Sequence, residues 1–111
     1  MKTFIHFGQT IKAKQFQQYD YGKKLNQKLY GSGSPPQLDL TLVPKQSDVP
    51  IAMFAGEIDA LATPPDSIQT YVSIKDNVEM FNWVPGGHVS FLVGKDMTWF
   101  QEDAMAFIKK H

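Results

Sequence analysis

Two side chains in this 111-residue sequence, Asp59 and His88, have the types and positions that acid–base chemistry requires. Each follows an apolar stretch, residues 51–55 and 78–84, that is typical of a buried strand. A carboxylate that accepts a hydrogen bond from one imidazole nitrogen fixes the tautomer, so the other nitrogen can take up a proton. The pair is therefore a candidate for the orienting acid and the general base of a catalytic triad.

Each of these two residues also has an ordinary structural explanation. Aspartate after a strand is a common turn residue. His88 follows two glycines and could be a loop histidine that only packs its ring. Their placement after neighbouring strands favours the functional interpretation, because α/β sheets bind ligands beyond the carboxyl ends of parallel strands.

The other ionisable candidates have simpler interpretations. His6 is predicted to be a surface or interface residue on the first helix. His111 is predicted to be solvated at the chain end, and Glu57 is expected to be a solvated loop acid. Three histidines this far apart show no metal-ligand spacing. We therefore expect no metal site, and chemistry by the acid–base pair needs no organic cofactor.

A triad also needs a nucleophile, and no residue fits that role. Triads in the chain order Ser, Asp, His place the serine in Gly-x-Ser-x-Gly at a sharp strand-to-helix turn. No serine here has glycine two residues before it: Ser32 and Ser34 lie in a Gly/Ser/Pro loop, and Ser90 is only two residues from His88. There is no cysteine to substitute. The sequence predicts that this chain alone is catalytically inactive.

The first part of the chain shows weak patterns. Phe4, Phe7 and Ile11 have the spacing of an amphipathic helix over residues 3–16, with a stop predicted near residues 19–22. Residues 31–36 are a loop by composition. Residues 38–42 alternate with period two, which predicts a short edge strand or extended segment.

The second part predicts a βαβ unit. Thr63, Pro64 and Asp66 form a helix start between the two apolar strands, and the helix should end near residues 76–77. The 23 residues between Phe54 and Val78 allow a right-handed crossover, so the strands should be parallel. A last helix is expected after Asp96, with a buried stripe of Met97, Phe100, Ala104, Phe107 and Ile108.

Composition excludes several classes of protein. Eleven basic and eleven acidic residues give a formal net charge of zero, which argues against a nucleic-acid partner held by bulk electrostatics. No apolar stretch is long enough for a transmembrane segment. At this length the chain is one ordinary domain or part of a larger one.

The whole chain resembles the C-terminal part of the acid lipases, the gastric and lysosomal lipase family of α/β-hydrolases. The most specific similarities are Gly-Glu-Ile-Asp-Ala-Leu-Ala at 56–62, where the family's triad Asp falls on Asp59, and His-Val-Ser-Phe at 88–91, where its triad His falls on His88. Residues 14–22 resemble a segment near the end of the family's cap region, and residues 35–40 resemble its Pro-Pro segment. Asp66 matches a second acid common in that motif.

This resemblance implies a partial α/β-hydrolase fold: the last two parallel strands with flanking helices, plus the end of the cap region. The implied division is residues 1–45 for the cap-like region and connector, and 46–111 for the core segment. The implied substrates are lipid esters, triacylglycerol or sterol ester, in a complete enzyme. The sequence departs from the family at Gly86 and Gly87, where a larger polar residue is usual before the His, and we expect a looser base loop.

Two functional hypotheses follow. In the first, the chain is part of a lipase that uses a Ser-Asp-His mechanism with a serine outside these residues. In the second, it is an inactive lipase-derived remnant that serves as a structural or interaction subunit. The free sheet edge predicts a protein partner that covers it. The compartment is undetermined, because the family implies a lysosomal or secreted location while the N-terminus shows no signal-peptide pattern.

Overall fold

Residues 1–39 form a unit of two helices in the computed structural model, which describes all 111 residues. Helix α1 (Lys2–Ala13) is confirmed, but it ends earlier than predicted, because Lys14 adopts the left-handed conformation with φ 52°. Helix α2 (Lys23–Tyr30) was not predicted, since only three of its eight residues are apolar. It ends at Gly31, whose φ of 72° suits the absence of a Cβ.

Polar contacts hold this first unit together. The buried Asn26 side chain accepts from the Tyr21 N–H at 2.9 Å and donates to Asp20 Oδ1 at 2.7 Å and to the Gly33 carbonyl at 3.2 Å. The Gln9 amide makes two hydrogen bonds with the Asp20 backbone. Hydrogen bonds of side-chain amides therefore stabilise this unit, in place of the apolar packing that stabilises larger domains.

The predicted edge strand at 38–42 is wrong. A single antiparallel bridge joins Gln17 and Gln37, and the chain then turns into a 3₁₀ turn (Leu40–Leu42) and the short helix α3 (Val43–Gln46). Pro44, at the start of α3, has no N–H to offer a sheet ladder. The two compact units divide at residues 39 and 40, while the assignment of 1–45 as cap-like remains a prediction.

The parallel βαβ unit is confirmed in residues 40–111. Strands β1 (Ile51–Gly56) and β2 (Val78–Val84) pair in parallel, with Gly56 opposite Val84 at their carboxyl ends. Helix α4 (Pro64–Ile74) connects them and begins after Thr63, as predicted. The two strands form a two-stranded sheet, so each has one edge that no other strand covers.

The C-terminal part contains two further helical segments. Helix α5 (Ser90–Val93) follows His88 closely, and a π-helical stretch (Trp99–Ala104) continues into α6 (Met105–Lys110). The wider π turns change which side chains face inward. Trp99 contacts Phe54, so the predicted stripe is only partly correct: Ala104 is buried, but Phe100 and Ile108 are exposed.

The buried apolar core is small. It consists of Ala55, Ile74, Val84 and Ala104. Many large apolar side chains are exposed instead, on α1 and around the carboxyl ends of both strands. No helix has the length and apolar character needed to cross a membrane.

Candidate active site

Backbone hydrogen bonds continue past the ends of the two strands and bring their loops together. The Glu57 N–H donates to the Val84 carbonyl at 3.1 Å, and the Ile58 N–H donates to the Gly86 carbonyl at 3.2 Å. A Cβ on Gly56 would lie 2.9 Å from the Gly86 oxygen, so only glycine permits this approach. The parallel pairing thereby places the residues that follow β1 next to those that follow β2.

Asp59 lies at the centre of this arrangement and is 4% exposed. One carboxylate oxygen, Oδ1, accepts from the N–H groups of Leu61 and Ala62 at 2.8 and 2.9 Å. The other, Oδ2, lies 3.0 Å from His88 Nδ1. Burial raises the pKa of the Asp59 carboxyl, but the bonds from Leu61, His88 and Ala62 outweigh it, so its pKa is lowered from the ordinary value.

His88 is oriented by this contact. An ionised carboxylate can only accept hydrogen bonds, so the proton shared with Asp59 must be carried by Nδ1. In the neutral ring Nε2 is then the nitrogen with a free lone pair. The His88 side chain is 55% exposed, so a reacting group can reach it. This geometry suits a general base held by a carboxylate.

The other ionisable candidates make contacts that involve neither Asp59 nor His88. His6 Nε2 lies 2.8 Å from the Gln17 carbonyl, and Asp66 accepts from the Thr63 hydroxyl at 2.6 Å at the start of α4. Glu57 is exposed. His111 is exposed at the chain end, as predicted, and its Nε2 lies 3.2 Å from Glu79 Oε2.

The serines make local contacts of other kinds. Ser32 Oγ accepts from the Ser34 N–H at 3.2 Å in an exposed loop. Ser90 Oγ accepts from the Gly87 N–H at 3.1 Å, and its backbone N–H donates to the Gly87 carbonyl. Through these contacts Ser90 closes the turn that carries His88, and it does not lie at a strand-to-helix elbow.

No group of three or more His, Cys, Asp or Glu side chains is arranged to bind a metal ion. An open cleft of about 370 Å³ lies near the amino ends of the strands and is lined by residues such as Pro50, Asn77 and Glu79. It contains neither candidate catalytic residue. The candidate site therefore depends on the Asp59–His88 geometry and not on this cleft.

Exposed apolar side chains flank the pair on both loops. Ile58 and Leu61 lie on the Asp59 loop, and Val89, Leu92 and Val93 follow His88. The exposed fractions range from 59% to 82%. Apolar exposure of this extent beside a polar pair is typical of a surface that meets lipid or further protein.

The sequence reasoning identified the pair but not the residues that support it. The contributions of the Leu61 and Ala62 N–H groups, and of Gly56, Gly86 and Ser90, were not predicted. The only sequence signal near them was the pair Gly86 and Gly87. That pair was interpreted as a source of looseness, whereas the structure shows close contacts of Gly86 with Ser90 and with the Asp59 loop.

The chain is similar to known lipases over most of its length. The chain is 32% identical over 94 residues to Triacylglycerol lipase 1 of Arabidopsis thaliana. The aligned region is 85% of this chain and 23% of the relative. It is 34% identical over 94 residues to human Lipase member N, covering 83% and 22% respectively. It is 27% identical over 111 residues to the Tear acid lipase-like protein of Mesocricetus auratus, covering 99% and 27%. No protein-family model matches.

These relatives and the parallel strands with flanking helices define the class, a segment of the α/β-hydrolase fold. More specifically, the similar proteins are all lipases, including human Gastric triacylglycerol lipase, which identifies the chain as part of an acid lipase. The chain spans about a quarter of the length of these curated relatives.

Proposed function

We propose that this chain supplies the acid and the base of a lipase triad that hydrolyses acyl esters of glycerol or sterols. The observation that carries the proposal is the 3.0 Å contact between His88 Nδ1 and Asp59 Oδ2, which leaves Nε2 free on a side chain that is 55% exposed. The nucleophile in this proposal is a serine outside residues 1–111. The chain then corresponds to the C-terminal part of the family, with residues 1–45 at the end of its cap-like region.

In the proposed reaction Nε2 of His88 transfers the protons, while Nδ1 stays bound to Asp59. Nε2 accepts the proton of the serine hydroxyl as the oxygen attacks the ester carbonyl, and then gives that proton to the departing alcohol. Water then attacks the acyl-serine ester as Nε2 takes one of its protons. Nε2 returns that proton to the serine oxygen as the acyl–serine bond breaks, and the acyl group leaves as a carboxylic acid. Asp59 keeps the proton on Nδ1 and stabilises the imidazolium while Nε2 is protonated.

A lipid ester fits the surroundings of the pair. The five exposed apolar side chains on the Asp59 loop and on the segment after His88 would contact acyl chains or the surface of a lipid aggregate, since they are not buried in this chain. The names of two relatives, Triacylglycerol lipase 1 and Gastric triacylglycerol lipase, support triacylglycerol as the first substrate to test. The comparisons add no support to the alternative of an inactive structural subunit.

We also propose that further polypeptide of the same lipase covers the exposed sheet edges. Both strands of a two-stranded sheet are edge strands, and such a sheet is marginal on its own. The small apolar core and the exposed apolar side chains support this proposal. Hydrogen exchange tests it: amides on the outer edges of β1 and β2 should exchange fast in this chain and slowly once the rest of the lipase is joined to it. Equal exchange in both would contradict it.

The catalytic proposal is tested with a chimera in which this chain replaces the matching segment of Arabidopsis Triacylglycerol lipase 1. The chimera should hydrolyse triacylglycerol, and His88→Gln should lower kcat by at least about 10³-fold, because the base is lost. His111→Gln is the matched control, since His111 lies at the chain end beside Glu79, and should change little. Full activity of the His88→Gln chimera would contradict the proposal.

A second experiment addresses the nucleophile. The 111-residue chain alone should not react with a fluorophosphonate, a reagent that labels activated serines, whereas the chimera should be labelled. Labelling of the chain alone would show that one of its own serines is activated, and would overturn the assignment of the nucleophile to another part of the protein.

A further inference from the structure

The turn that carries His88 is closed by a serine side chain. The Ser90 hydroxyl accepts from the Gly87 N–H at 3.1 Å, and the Ser90 N–H donates to the Gly87 carbonyl at 3.0 Å. His88 lies between these two residues in the sequence. Two hydrogen bonds between residues 87 and 90 therefore fix the backbone on both sides of the imidazole.

The same serine lies against the preceding glycine. Gly86 has a φ of +133°, and a Cβ built there would lie 2.4 Å from Ser90 Oγ and 2.7 Å from Ser90 Cβ. No side chain fits in that space. Because Gly86 has none, the serine can pack directly against the main chain, and this packing depends on both residues together.

The Gly86 peptide also contacts the Asp59 loop. Its carbonyl accepts from the Ile58 N–H at 3.2 Å and lies close to the Cα of Gly56. Ile58 is the residue immediately before Asp59. A displacement of Gly86 would therefore change the distance between His88 and Asp59, which are held at 3.0 Å.

We propose that Ser90 is a positioning residue that holds the His88 loop against the Asp59 loop through Gly86 and Gly87. The role rests on the proposed function of His88 as a base, and Ser90 itself touches no reacting atom in it. The contacts of Gly56, Gly86 and Ser90 explain why small residues occur on both loops. The looser base loop predicted from Gly86 and Gly87 is not what these contacts support.

Imidazole ¹⁵N spectra of the 111-residue chain test this proposal without any catalytic assay. At a pH where His88 is neutral, the unsubstituted chain should show the Nδ1–H tautomer, because Asp59 accepts from Nδ1. Ser90→Ala should shift His88 towards a mixture with the Nε2–H tautomer. Ser73→Ala is the matched control, since the Ser73 hydroxyl bonds only the Gln69 carbonyl within α4, and should leave the His88 signals unchanged.

A glycine pair gives an independent test in the same spectra. Gly86→Ala should disturb His88 strongly, because the new methyl group would collide with Ser90. Gly87→Ala should not, because its Cβ would meet only the Ile58 carbonyl at an ordinary 3.5 Å. An unchanged His88 spectrum in Ser90→Ala, equal effects of the two glycine substitutions, or general loss of amide dispersion in Ser90→Ala would overturn the local positioning role.

Kinetics of the chimera separate this proposal from the proposed function. Ser90→Ala should lower kcat about tenfold at unchanged KM, as expected when one hydrogen bond that holds the base is lost. Added to Asp59→Asn, it should have little further effect, because both act on His88. If His88→Gln leaves the chimera active, the proposed function fails, while the spectra still decide whether Ser90 positions His88.

Discussion

Replacement of Asp59 by Asn tests the arrangement of the pair most directly, because it exchanges one oxygen for an NH₂ group of nearly the same size. Asp59 Oδ1 accepts from two backbone N–H groups, and Oδ2 accepts from His88 Nδ1. Asparagine has only one side-chain oxygen that can accept these hydrogen bonds. In one orientation it keeps both backbone hydrogen bonds, and in the other it leaves both donors, those of Leu61 and Ala62, without an acceptor.

The orientation that keeps both backbone hydrogen bonds is favoured, because the other orientation keeps only the single hydrogen bond from His88 Nδ1. The amide oxygen takes the position of Oδ1, so the NH₂ group faces His88 and donates to Nδ1. Nδ1 must then be unprotonated, and the neutral ring carries its proton on Nε2. Nε2, the nitrogen proposed to act as the base, is then protonated and cannot accept a proton, while the fold is unchanged. The same change in tautomer costs about 10⁴-fold in kcat in a well-studied serine hydrolase, and we expect a similar loss in the chimera.

Two measurements check this prediction. Imidazole ¹⁵N spectra of the Asp59→Asn chain should show a switch from the Nδ1–H to the Nε2–H tautomer of His88, and triacylglycerol hydrolysis by the chimera should fall by about 10⁴-fold. Asp76→Asn is the control, since Asp76 is exposed near the amino ends of the strands. Persistence of the Nδ1–H tautomer in Asp59→Asn, with activity retained, would refute the reasoning.

The remaining predictions concern stability. Gly8→Ala should raise the free energy of unfolding by about 0.5–1 kcal/mol in a urea titration, because Gly8 is exposed within α1 and an added Cβ meets nothing; an unchanged midpoint would contradict this. Asn26→Leu should lower the free energy of unfolding by about 2 kcal/mol or more, because the Tyr21 N–H and the Gly33 carbonyl lose their buried partner; an unchanged urea midpoint would speak against this. Because the pKa of Asp59 is lower in the folded chain than its ordinary value, ionised Asp59 stabilises the fold. This contribution is complete above about pH 4, the ordinary pKa of aspartate, and is lost as the pH falls through the lowered pKa. The decline of the urea midpoint in acid should therefore be smaller in Asp59→Asn than in the unsubstituted chain. An equal decline in both chains would be evidence against this contribution.

The parts of the fold that the sequence predicted are those where one periodic pattern acts alone. β1, α4 and β2 were predicted because an apolar run, a helix start and a second apolar run follow one another. α2 was missed because Asn26, the residue that ties it to its surroundings, is polar, and its hydrogen bonds go to the loops just before and just after the helix rather than to an apolar face. The π-helical stretch at Trp99 was missed because no residue-type pattern distinguishes it from an α-helix.

For the site, the sequence by itself determined which two side chains could act as acid and base, because strand order and residue type put Asp59 and His88 after adjacent parallel strands. Only the tertiary structure decided how they meet. The N–H groups of Leu61 and Ala62 reserve one oxygen of Asp59 and leave the other for Nδ1 of His88. The distance between the loops depends on contacts between residues far apart in the chain, and such distances have no signature in a local pattern of residue types.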